Sequence, residues 1–484
     1  MNKAFEGLSP EMLWDYFDKI CRIPRPSKHE EKISDWLMSF ARERGLEAKK
    51  DQAGNVLIKK QSSPGMEVRP VVVLQSHMDM VGEKNNDKKH DFQKDPIVPV
   101  RKGDWIYADG TTLGADDGIG IAAQLAILAA EDIDHGPIEC LFTVDEETGL
   151  TGAFNLEENF FEGRILINLD SEDEGQLFIG CAGGIDTVGY FTPEYEDVRG
   201  GYTALEIRVT GLKGGHSGDD IHKGRGNANK LLVRYLWQMS KQYGLRVAHL
   251  EGGNLRNAIA REASSVALVP SKYKEEARAT LNMMAHEVEQ EFRKTDPGVK
   301  FVLGSTDAPE RVFSKKFQDH LLNAIYACPH GVMAWSREIE DLVETSTNLA
   351  SVKTVDGEIM ITTSQRSSVE SARDDVANMV RSVFELAGAR IEHSAGYPGW
   401  EPDMNSPIVD VAVRTYDQLF GEKPEVKAVH AGLECGLFLQ KYPGLDMISM
   451  GPTIKGAHSP DEGLHIDSVR RFWSHLLEIL KAVG

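Results

Sequence analysis

Apolar residues occur in short blocks along the first third of the chain, and polar turns separate the blocks. Blocks of strand length lie at 54–60 (GNVLIKK), 69–81 (RPVVVLQSHMDMV), 137–147 (PIECLFTVDEE) and 163–172 (GRILINLDSE). Between them, GADDGIGIAAQLAILAA (114–130) predicts a turn that enters a buried helix, and two helical patterns in 8–47 flank the proline-containing segment RIPRPSKHE. Because strands and helices alternate, the pattern predicts an α/β fold with a mixed, mostly parallel sheet sandwiched by helices.

A different pattern begins near residue 187. YTALEIRVTGLKGG alternates as a half-exposed antiparallel strand does, and helical patterns and polar strands follow at 226–243, 274–293, 299–304 and 357–366. The apolar strand DMISMGPTI and an amphipathic helix at 467–482 then restore the first pattern. We therefore expect one domain from residues 1–186 and 387–484, with an α+β domain inserted at 187–386.

Composition restricts the classes of protein that fit. A chain of 484 residues with 41% hydrophobic and 27% charged residues is typical of a soluble, multidomain globular protein. Its net charge of −21 argues against a nucleic-acid or anionic-membrane partner. The five cysteines are scattered, which disfavours a disulfide framework, and the longest apolar stretch, at 118–130, is too short to span a bilayer. We expect a cytoplasmic protein.

Acidic residues and a histidine follow the apolar blocks at four places. They are His77 with Asp79, Asp116 with Asp117, the run Asp145, Glu146 and Glu147, and Asp170. The carboxyl ends of strands in an open α/β sheet meet at the ligand crevice, so these groups converge if the strands are neighbours. Carboxylates gathered in one crevice require a multivalent cation. Imidazole among them favours zinc, for which Co²⁺ or Mn²⁺ can substitute.

Spacing within the motifs suggests roles. His77 and Asp79 lie two apart on a strand, so Asp79 can orient the imidazole while His77 binds metal. Glu146 and Glu147 are adjacent, so one can be a ligand and the other a general base. Each motif alone also has a plain explanation: a chance surface pair, a solvated acidic loop, or a turn before a helix whose first residues favour acids. All four in this order are hard to explain without metal.

Five ordered motifs carry a resemblance to a known family: SHMDMV, GADDGIGIA, TVDEETGLTGA, NLDSEDEG and GAHSPDE. Together they resemble the co-catalytic dizinc aminoacylase/carnosinase/carboxypeptidase superfamily. TDAPE, VETSTNLASV, TTSQRSS and HAGLECG are similar to its aminoacylhistidine dipeptidases, also known as Xaa-His dipeptidases or peptidase D. The resemblance covers essentially the whole chain and implies a zinc-exopeptidase-like fold with an inserted α+β lid.

The resemblance also implies how two Zn²⁺ ions per chain are held. His77 and Asp170 would bind one ion, Glu147 and His458 would bind the other, and Asp116 would bridge the two. Metal-bound hydroxide would attack the scissile carbonyl, with Glu146 as the general base and Asp79 orienting His77. The implied reaction is hydrolysis of unblocked dipeptides, especially Xaa-His such as β-Ala-His.

The inserted domain would contribute to the substrate site. By resemblance, His216 in GLKGGHSGDDIHKG would stabilise the oxyanion, and Asn257, Arg366 and Gly432 would bind substrate. A guanidinium suits the terminal carboxylate of a dipeptide. The domain could also mediate a homodimer, and whether His216 acts within one chain or across subunits is left open.

Three alternatives to a dipeptidase remain at this point. An N-acyl amino acid deacylase or a carboxypeptidase of the same superfamily would use the same metal-binding motifs. A non-catalytic metal-binding protein is a third alternative, and Glu146 argues against it because such a protein needs no base beside its ligands.

Overall fold

Helices and strands alternate along the first part of the chain, in agreement with the hydropathy pattern. The computed structural model describes residues 2–198 and 200–484. Its α-helices are α1 (Glu11–Cys21), α2 (Glu31–Glu43), α3 (Ala115–Ala129), α4 (Glu146–Gly149), α5 (Thr151–Phe154), α6 (Ala228–Tyr243), α7 (Lys274–Glu291), α8 (Lys315–Ala327), α9 (Glu370–Leu386), α10 (Pro407–Phe420), α11 (Glu434–Lys441) and α12 (Ile466–Ala482).

The strands are short in the first part of the chain and longer in the middle. They are β1 (Glu47–Lys50), β2 (Val56–Lys60), β3 (Val72–His77), β4 (Pro99–Lys102), β5 (Trp105–Ala108), β6 (Ile138–Thr143), β7 (Ile165–Asn168), β8 (Gln176–Cys181), β9 (Gly183–Phe191), β10 (Tyr195–Asp197), β11 (Tyr202–Thr210), β12 (Gly215–His216), β13 (Arg246–Gly252), β14 (Ala258–Ile259), β15 (Ala263–Pro270), β16 (Lys300–Ser305), β17 (Arg311–Phe313), β18 (Gly331–Trp335), β19 (Val343–Val355), β20 (Glu358–Ser367), β21 (Arg390–His393), β22 (Glu425–Val429), β23 (Asp446–Ser449), β24 (Ile454–Lys455) and β25 (Gly463–His465).

Residue contacts divide the described chain into two units. The first comprises the chain up to Gly180 together with Pro402–Ala428 and Leu433–Gly484. The second comprises Cys181–Glu401 and Val429–Gly432. The domain boundaries expected from the sequence, and the role of 187–386 as a lid, stay predictions.

The first unit is built on an eight-stranded sheet in the order β1-β2-β6-β3-β7-β23-β8-β22. Its central strands β6, β3, β7 and β23 run parallel, and β1 and β2 are antiparallel to their neighbours. Every residue of β3 and β6 is buried, as expected of central strands whose two faces are both covered. The predicted mixed sheet with helices is confirmed.

The register of the central strands places their carboxyl ends at one edge. His77 at the end of β3 pairs with Thr143 at the end of β6, and Gln75 pairs with Asn168 at the end of β7. Residues that follow these ends therefore emerge together. A smaller sheet has the order β24-β25-β5-β4, and the GAHSPDE motif connects β24 to β25.

The second unit is built on an antiparallel sheet in the order β16-β11-β15-β13-β19-β20-β9-β21, with β18 beside β19. In β11, Leu205, Ile207 and Val209 are buried while Arg208 is exposed, as a sheet with one covered face requires. Helices α6 to α9 supply the core on the covered face, with Leu232, Leu281, Leu321 and Phe384 among its members. The predicted α+β character of this segment is confirmed.

Candidate active site

Loops at the carboxyl ends of β3, β6 and β7 bring the predicted metal ligands of the first unit together. His77 ends β3, Glu146 and Glu147 open α4 directly after β6, and Asp170 follows β7. Asp116 lies at the start of α3, which begins after Gly114 in the left-handed conformation at φ 68°. The peptide bond between Asp116 and Asp117 is cis.

One cluster joins His77, Asp116 and Asp170. The Nε2 atom of His77 lies 3.0 Å from Oδ1 of Asp116 and 3.4 Å from Oδ1 of Asp170. One donor atom from each of the three residues falls within 4.8 Å of the others. The imidazole is 1% exposed, so its neighbours rather than water set its environment.

A second cluster joins Asp116, Glu147 and His458, and it shares Asp116 with the first. Nε2 of His458 lies 3.1 Å from Oδ2 of Asp116 and 3.0 Å from Oε2 of Glu147. Thus one carboxylate oxygen of Asp116 faces each histidine. This is the arrangement that a carboxylate bridging two metal ions would need.

Asp79 holds both the imidazole and the acidic turn. Its Oδ1 lies 3.3 Å from Nδ1 of His77 and accepts the backbone N–H of Glu146 at 3.0 Å. Its Oδ2 accepts the N–H of Glu147 at 3.3 Å and the hydroxyl of Ser27 at 2.8 Å. A ligand histidine oriented by a carboxylate through its second nitrogen is a common feature of metal sites.

The charges of the site strongly perturb one another. Burial raises the pKa of Asp170 well above its usual range, and the neighbouring charge of Asp116 adds to this effect. Burial likewise raises the pKa of Glu146, with the charges of Asp170 and Glu147 contributing. Burial opposes a charge on His77, yet the charge of Asp170 and the hydrogen bonds with the carboxylates raise its pKa well above the ordinary value. The negative charge of these buried acids exceeds the positive charge that one protonated histidine supplies, so the site needs further positive charge.

The donor set fits divalent metal ions. Imidazole nitrogens and carboxylate oxygens are the ligands of zinc and related borderline cations. Oε1 of Glu147 is buried and has no hydrogen-bond partner, so one ligand atom is free at the cluster. His77 and Asp170 could hold one ion, Glu147 and His458 another, and Asp116 both.

Asp145, the first acid of the run, has a different environment. It is buried in the left-handed conformation at φ 49°, and its carboxylate accepts hydrogen bonds from the hydroxyls of Thr148 and Thr151. Its N–H donates to Glu30 at 3.1 Å. Asp145 therefore organises the turn that carries Glu146.

The second unit holds His216 in the glycine-rich turn at β12. Its Nδ1 accepts the N–H groups of Gly218 and Asp219, each at 3.3 Å, and lies 3.2 Å from the Asp219 carboxylate. The two N–H donors favour the tautomer with its proton on Nε2. His216 is one-third exposed, so this proton can be donated to a ligand.

The other predicted residues of the second unit lie around Ser217 and Tyr397. The guanidinium of Arg366, 7% exposed, donates to the hydroxyls of Ser217 at 3.3 Å and Tyr397 at 3.0 Å. The N–H of Ser217 donates to the carbonyl of Asn257 at 2.8 Å. A Cβ on Gly432 would lie 2.8 Å from the Tyr397 ring, so only glycine fits there.

Sequence reasoning proposed Glu434, in HAGLECG, as a contact for the amino group of the substrate, but it missed the partners of Glu434 and those of Arg366. In the first unit, the fully buried Glu434 accepts hydrogen bonds from Gln75 at 2.7 Å and Thr143 at 2.8 Å, and burial raises its pKa to about 7. Gln75 lies two residues before His77 on the same strand, so a polar residue within that apolar run was the available signal. Ser217, adjacent to His216, could also have been noticed, whereas Tyr397 had no local signal.

Comparison with known proteins identifies the family. The sequence model of peptidase family M20/M25/M40 matches residues 73–482. The chain belongs to peptidase family M20/M25/M40. The predicted peptide-bond hydrolase is therefore confirmed, and the alternative of a non-catalytic metal-binding protein loses its support.

Individual members of the M20/M25/M40 family agree with the subgroup resemblance. The chain is 45% identical over 476 residues to the cytosol non-specific dipeptidase of Escherichia coli K12, covering 98% of both proteins. The crystal structure of aminoacylhistidine dipeptidase from Vibrio alginolyticus has a TM-score of 0.92 and 46% identity, covering 99% of this chain and 98% of that one. A tripeptidase from Staphylococcus aureus, with a TM-score of 0.57 and 17% identity, shares the fold. The predicted relation to aminoacylhistidine dipeptidases is confirmed.

None of the helices in the described part of the chain combines the length and the apolar content needed to cross a membrane.

Proposed function

We propose that this protein is a zinc-dependent dipeptidase that hydrolyses unblocked dipeptides, including Xaa-His dipeptides such as β-Ala-His. The observation that carries the proposal is the pair of donor clusters that share Asp116, with Glu146 beside them. The printed names of the two proteins that are 45% and 46% identical, both dipeptidases, support the substrate class.

The proposed metal site uses five residues of the first unit, with His77 and Asp170 on one ion, Glu147 and His458 on the other, and Asp116 on both. Zinc bound there would lower the pKa of a coordinated water to around 7, so that a nucleophile is available at neutral pH. Co²⁺ or Mn²⁺ would substitute, because the same nitrogen and oxygen donors bind them.

Glu146 is the proposed general base. Its carboxylate takes a proton from the attacking water and returns it to the nitrogen of the leaving amine. Burial raises its pKa above that of an ordinary glutamate, which makes the carboxylate a stronger base. Asp79 keeps His77 in one orientation and, through its bonds to the N–H groups of Glu146 and Glu147, fixes the acidic turn.

The proposed substrate residues belong to the second unit. Nε2–H of His216 would donate to the oxyanion, and Arg366 would bind the terminal carboxylate of the dipeptide. Asn257 would donate to the substrate through its amide, and Gly432 would let the substrate approach the backbone. The arrangement of Arg366, Ser217 and Tyr397 supports a fixed, charged anchor for a small anionic end group.

A cytoplasmic location is part of the proposal, since the relative from Escherichia coli is described as cytosolic. The proposed partner is the small dipeptide alone, without nucleic acid or membrane, and a homodimer is compatible with it.

A substrate panel tests this function. Purified protein loaded with zinc is assayed on β-Ala-His, other Xaa-His and Xaa-Xaa dipeptides, tripeptides and N-acetyl amino acids. We expect dipeptides to be cleaved well and the other two classes poorly. Glu146→Gln should lower kcat by about 10²–10⁴-fold, because it removes the base, while zinc content measured by atomic emission stays at two ions.

Glu158→Gln is the matched control, because Glu158 is an exposed glutamate of the same region. It should retain wild-type kcat. Equal rates on tripeptides or N-acetyl amino acids would instead favour the carboxypeptidase or deacylase alternatives, and full activity of Glu146→Gln would refute the proposed base.

A further inference from the structure

Glu462 lies in the GAHSPDE motif, and its carboxylate accepts four backbone N–H groups from the loop that carries Asp116. Oε2 accepts from Leu113 at 2.7 Å and Gly114 at 2.9 Å, and Oε1 accepts from Ala115 at 2.7 Å and Asp116 at 3.4 Å. The residue is 2% exposed. A buried carboxylate with both oxygens fully used fixes the backbone around it.

Glu462 also belongs to the loop that carries His458. Its N–H donates to the carbonyl of Ser459 at 3.0 Å, and the Ser459 hydroxyl donates to Gly456 at 2.7 Å. His458 itself has a left-handed backbone at φ 63°, so this turn needs support from its surroundings. One side chain thus connects the loops of two proposed metal ligands.

Arg25 holds the opposite side of the same region. Its guanidinium, 2% exposed, donates to the carbonyls of Met78 at 3.0 Å, of Asp79 and of Gly114. Gly114 therefore donates its N–H to Glu462 and accepts from Arg25 through its carbonyl. The negative charge of Glu462 favours the charged form of Arg25, which offsets part of the cost of burying the guanidinium.

Two glycines make room for the guanidinium. A Cβ on Gly114 would lie 2.8 Å from Nη2 of Arg25, and a Cβ on Gly118 would lie 2.6 Å from the same atom. Contacts this short would displace the arginine. The glycines of GADDG are therefore needed for packing against Arg25, independently of the role of the acids between them.

We infer that Arg25 and Glu462 are positioning residues for metal binding. Together, as the Arg25–Glu462 pair, they fix the relative positions of three loops that carry the proposed metal ligands or their partners. The loops are those of His77 with Asp79, of Asp116, and of His458. The inference rests on the proposed dinuclear site and goes beyond it, because neither residue is a proposed ligand, base or substrate contact.

Metal affinity tests the pair directly. Full-length wild type and Glu462→Gln are stripped of metal and titrated with Zn²⁺ in competition with a chromophoric chelator. The Gln amide can accept through only one atom, so two backbone donors lose their acceptor. We expect both ions to bind roughly 10- to 100-fold more weakly, as when partners of metal ligands are replaced. The visible spectrum of the Co²⁺-loaded variant should also differ from that of wild type.

Glu139→Gln is the matched control. Glu139 is also 2% exposed and accepts two backbone N–H groups, from Glu162 at 2.7 Å and Gly163 at 2.9 Å. It lies near the start of β6, whereas the site lies beyond the end of that strand. The control should lose stability but keep wild-type Zn²⁺ affinity and an unchanged Co²⁺ spectrum.

Gly118→Ala is the second variant, because it displaces Arg25 while every carboxylate stays in place, and alanine is favoured over glycine in a helix. If Glu462→Gln does not fold, the Zn²⁺ affinity and the Co²⁺ spectrum of Gly118→Ala test the inference instead. Wild-type affinity and spectrum in the folded variants, or an equal loss in Glu139→Gln, would overturn the inference. Failure of the wild type to bind two ions or to cleave dipeptides would refute the proposed function instead.

Discussion

At the scale of single residues, the acidic run at 145–147 separates into three roles. Glu147 lies in one donor cluster, Glu146 is the proposed base, and Asp145 hydrogen-bonds to Thr148 and Thr151 beneath the turn. Three adjacent like charges are tolerable because each has its own environment. Spacing alone could not assign Asp145, since its partners lie after it in a turn whose geometry the sequence does not specify.

Asp145→Asn should lower the free energy of unfolding by about 1–3 kcal/mol, because an amide cannot accept both threonine hydroxyls with its single oxygen. Asp145→Ala should cost about 1 kcal/mol more, since alanine is disfavoured at φ 49°. Urea denaturation of metal-free protein measures both, with the exposed Asp132→Asn as control. Wild-type stability in Asp145→Asn would contradict this role of the carboxylate.

At the scale of elements, the turn from β6 through α4 to α5 folds back on Val144, the residue that follows β6. Gly152 in α5 donates its N–H to the carbonyl of Val144 at 2.9 Å and accepts from Asn55 at 2.9 Å. A Cβ on Gly152 would lie 2.5 Å from Asn55 and 2.6 Å from the Val144 backbone. The second glycine of EETGLTGA is therefore needed for this close approach.

Gly152→Ala should destabilise the protein by about 1–3 kcal/mol or more, because the nearest atoms include backbone that cannot move aside. Gly149→Ala, in the same motif, should change stability by no more than about 0.5 kcal/mol, since its Cβ would meet only side-chain atoms, the Thr151 hydroxyl at 3.3 Å and Oδ2 of Asp145 at 3.8 Å. Thermal unfolding compares the two. Equal effects would mean that Gly152 is not closely packed against Val144 and Asn55.

Elements with a strong hydrophobic period could be predicted from the sequence, and those without one could not. The strands β3, β6 and β7 and the helices α3 and α12 match their apolar patterns because burial alone determines them. By contrast, β19 runs over Val343–Val355 with Thr345, Ser346, Thr347 and Asn348 all buried, so it shows no apolar alternation. Two of these residues bond to groups distant in sequence, Ser346 to His430 at 2.7 Å and the Asn348 amide to the Ala258 carbonyl at 2.9 Å.

The candidate site shows the same limit. Acids at strand ends were visible as a pattern, and the family resemblance supplied the pairing of His77 with Asp170 and of Glu147 with His458. The contacts of Arg25 and Glu462 join loops separated by 89 and 346–349 residues. Contacts between such distant residues leave no periodic pattern in the sequence, so they could be found only from the folded structure.

At the scale of the whole molecule, buried histidines outside the metal clusters link stability to pH. Burial lowers the pKa of His475 to about 4, of His330 to about 4 and of His430 to about 3. Each is neutral in the folded chain at pH values where an unfolded histidine, with a pKa of about 6.5, is protonated. As the pH falls below about 6.5, the unfolded state binds protons that the folded state does not, so folding becomes less favourable.

His475 offers the clearest test of this linkage. Its Nε2 lies 2.8 Å from the carbonyl of Ala412, and its ring packs edge-on against Tyr416 at 5.0 Å. Between about pH 7 and about pH 5 this one residue should remove about 2 kcal/mol from the free energy of unfolding of the metal-free protein.

His475→Gln lacks the titrating ring, so its stability should depend less on pH by that amount, even if it is lower throughout. His286→Gln is the control variant, since it removes an exposed histidine from α7. Urea denaturation across this pH range measures the slopes, and an unchanged slope in His475→Gln would mean that folding does not change the pKa of His475.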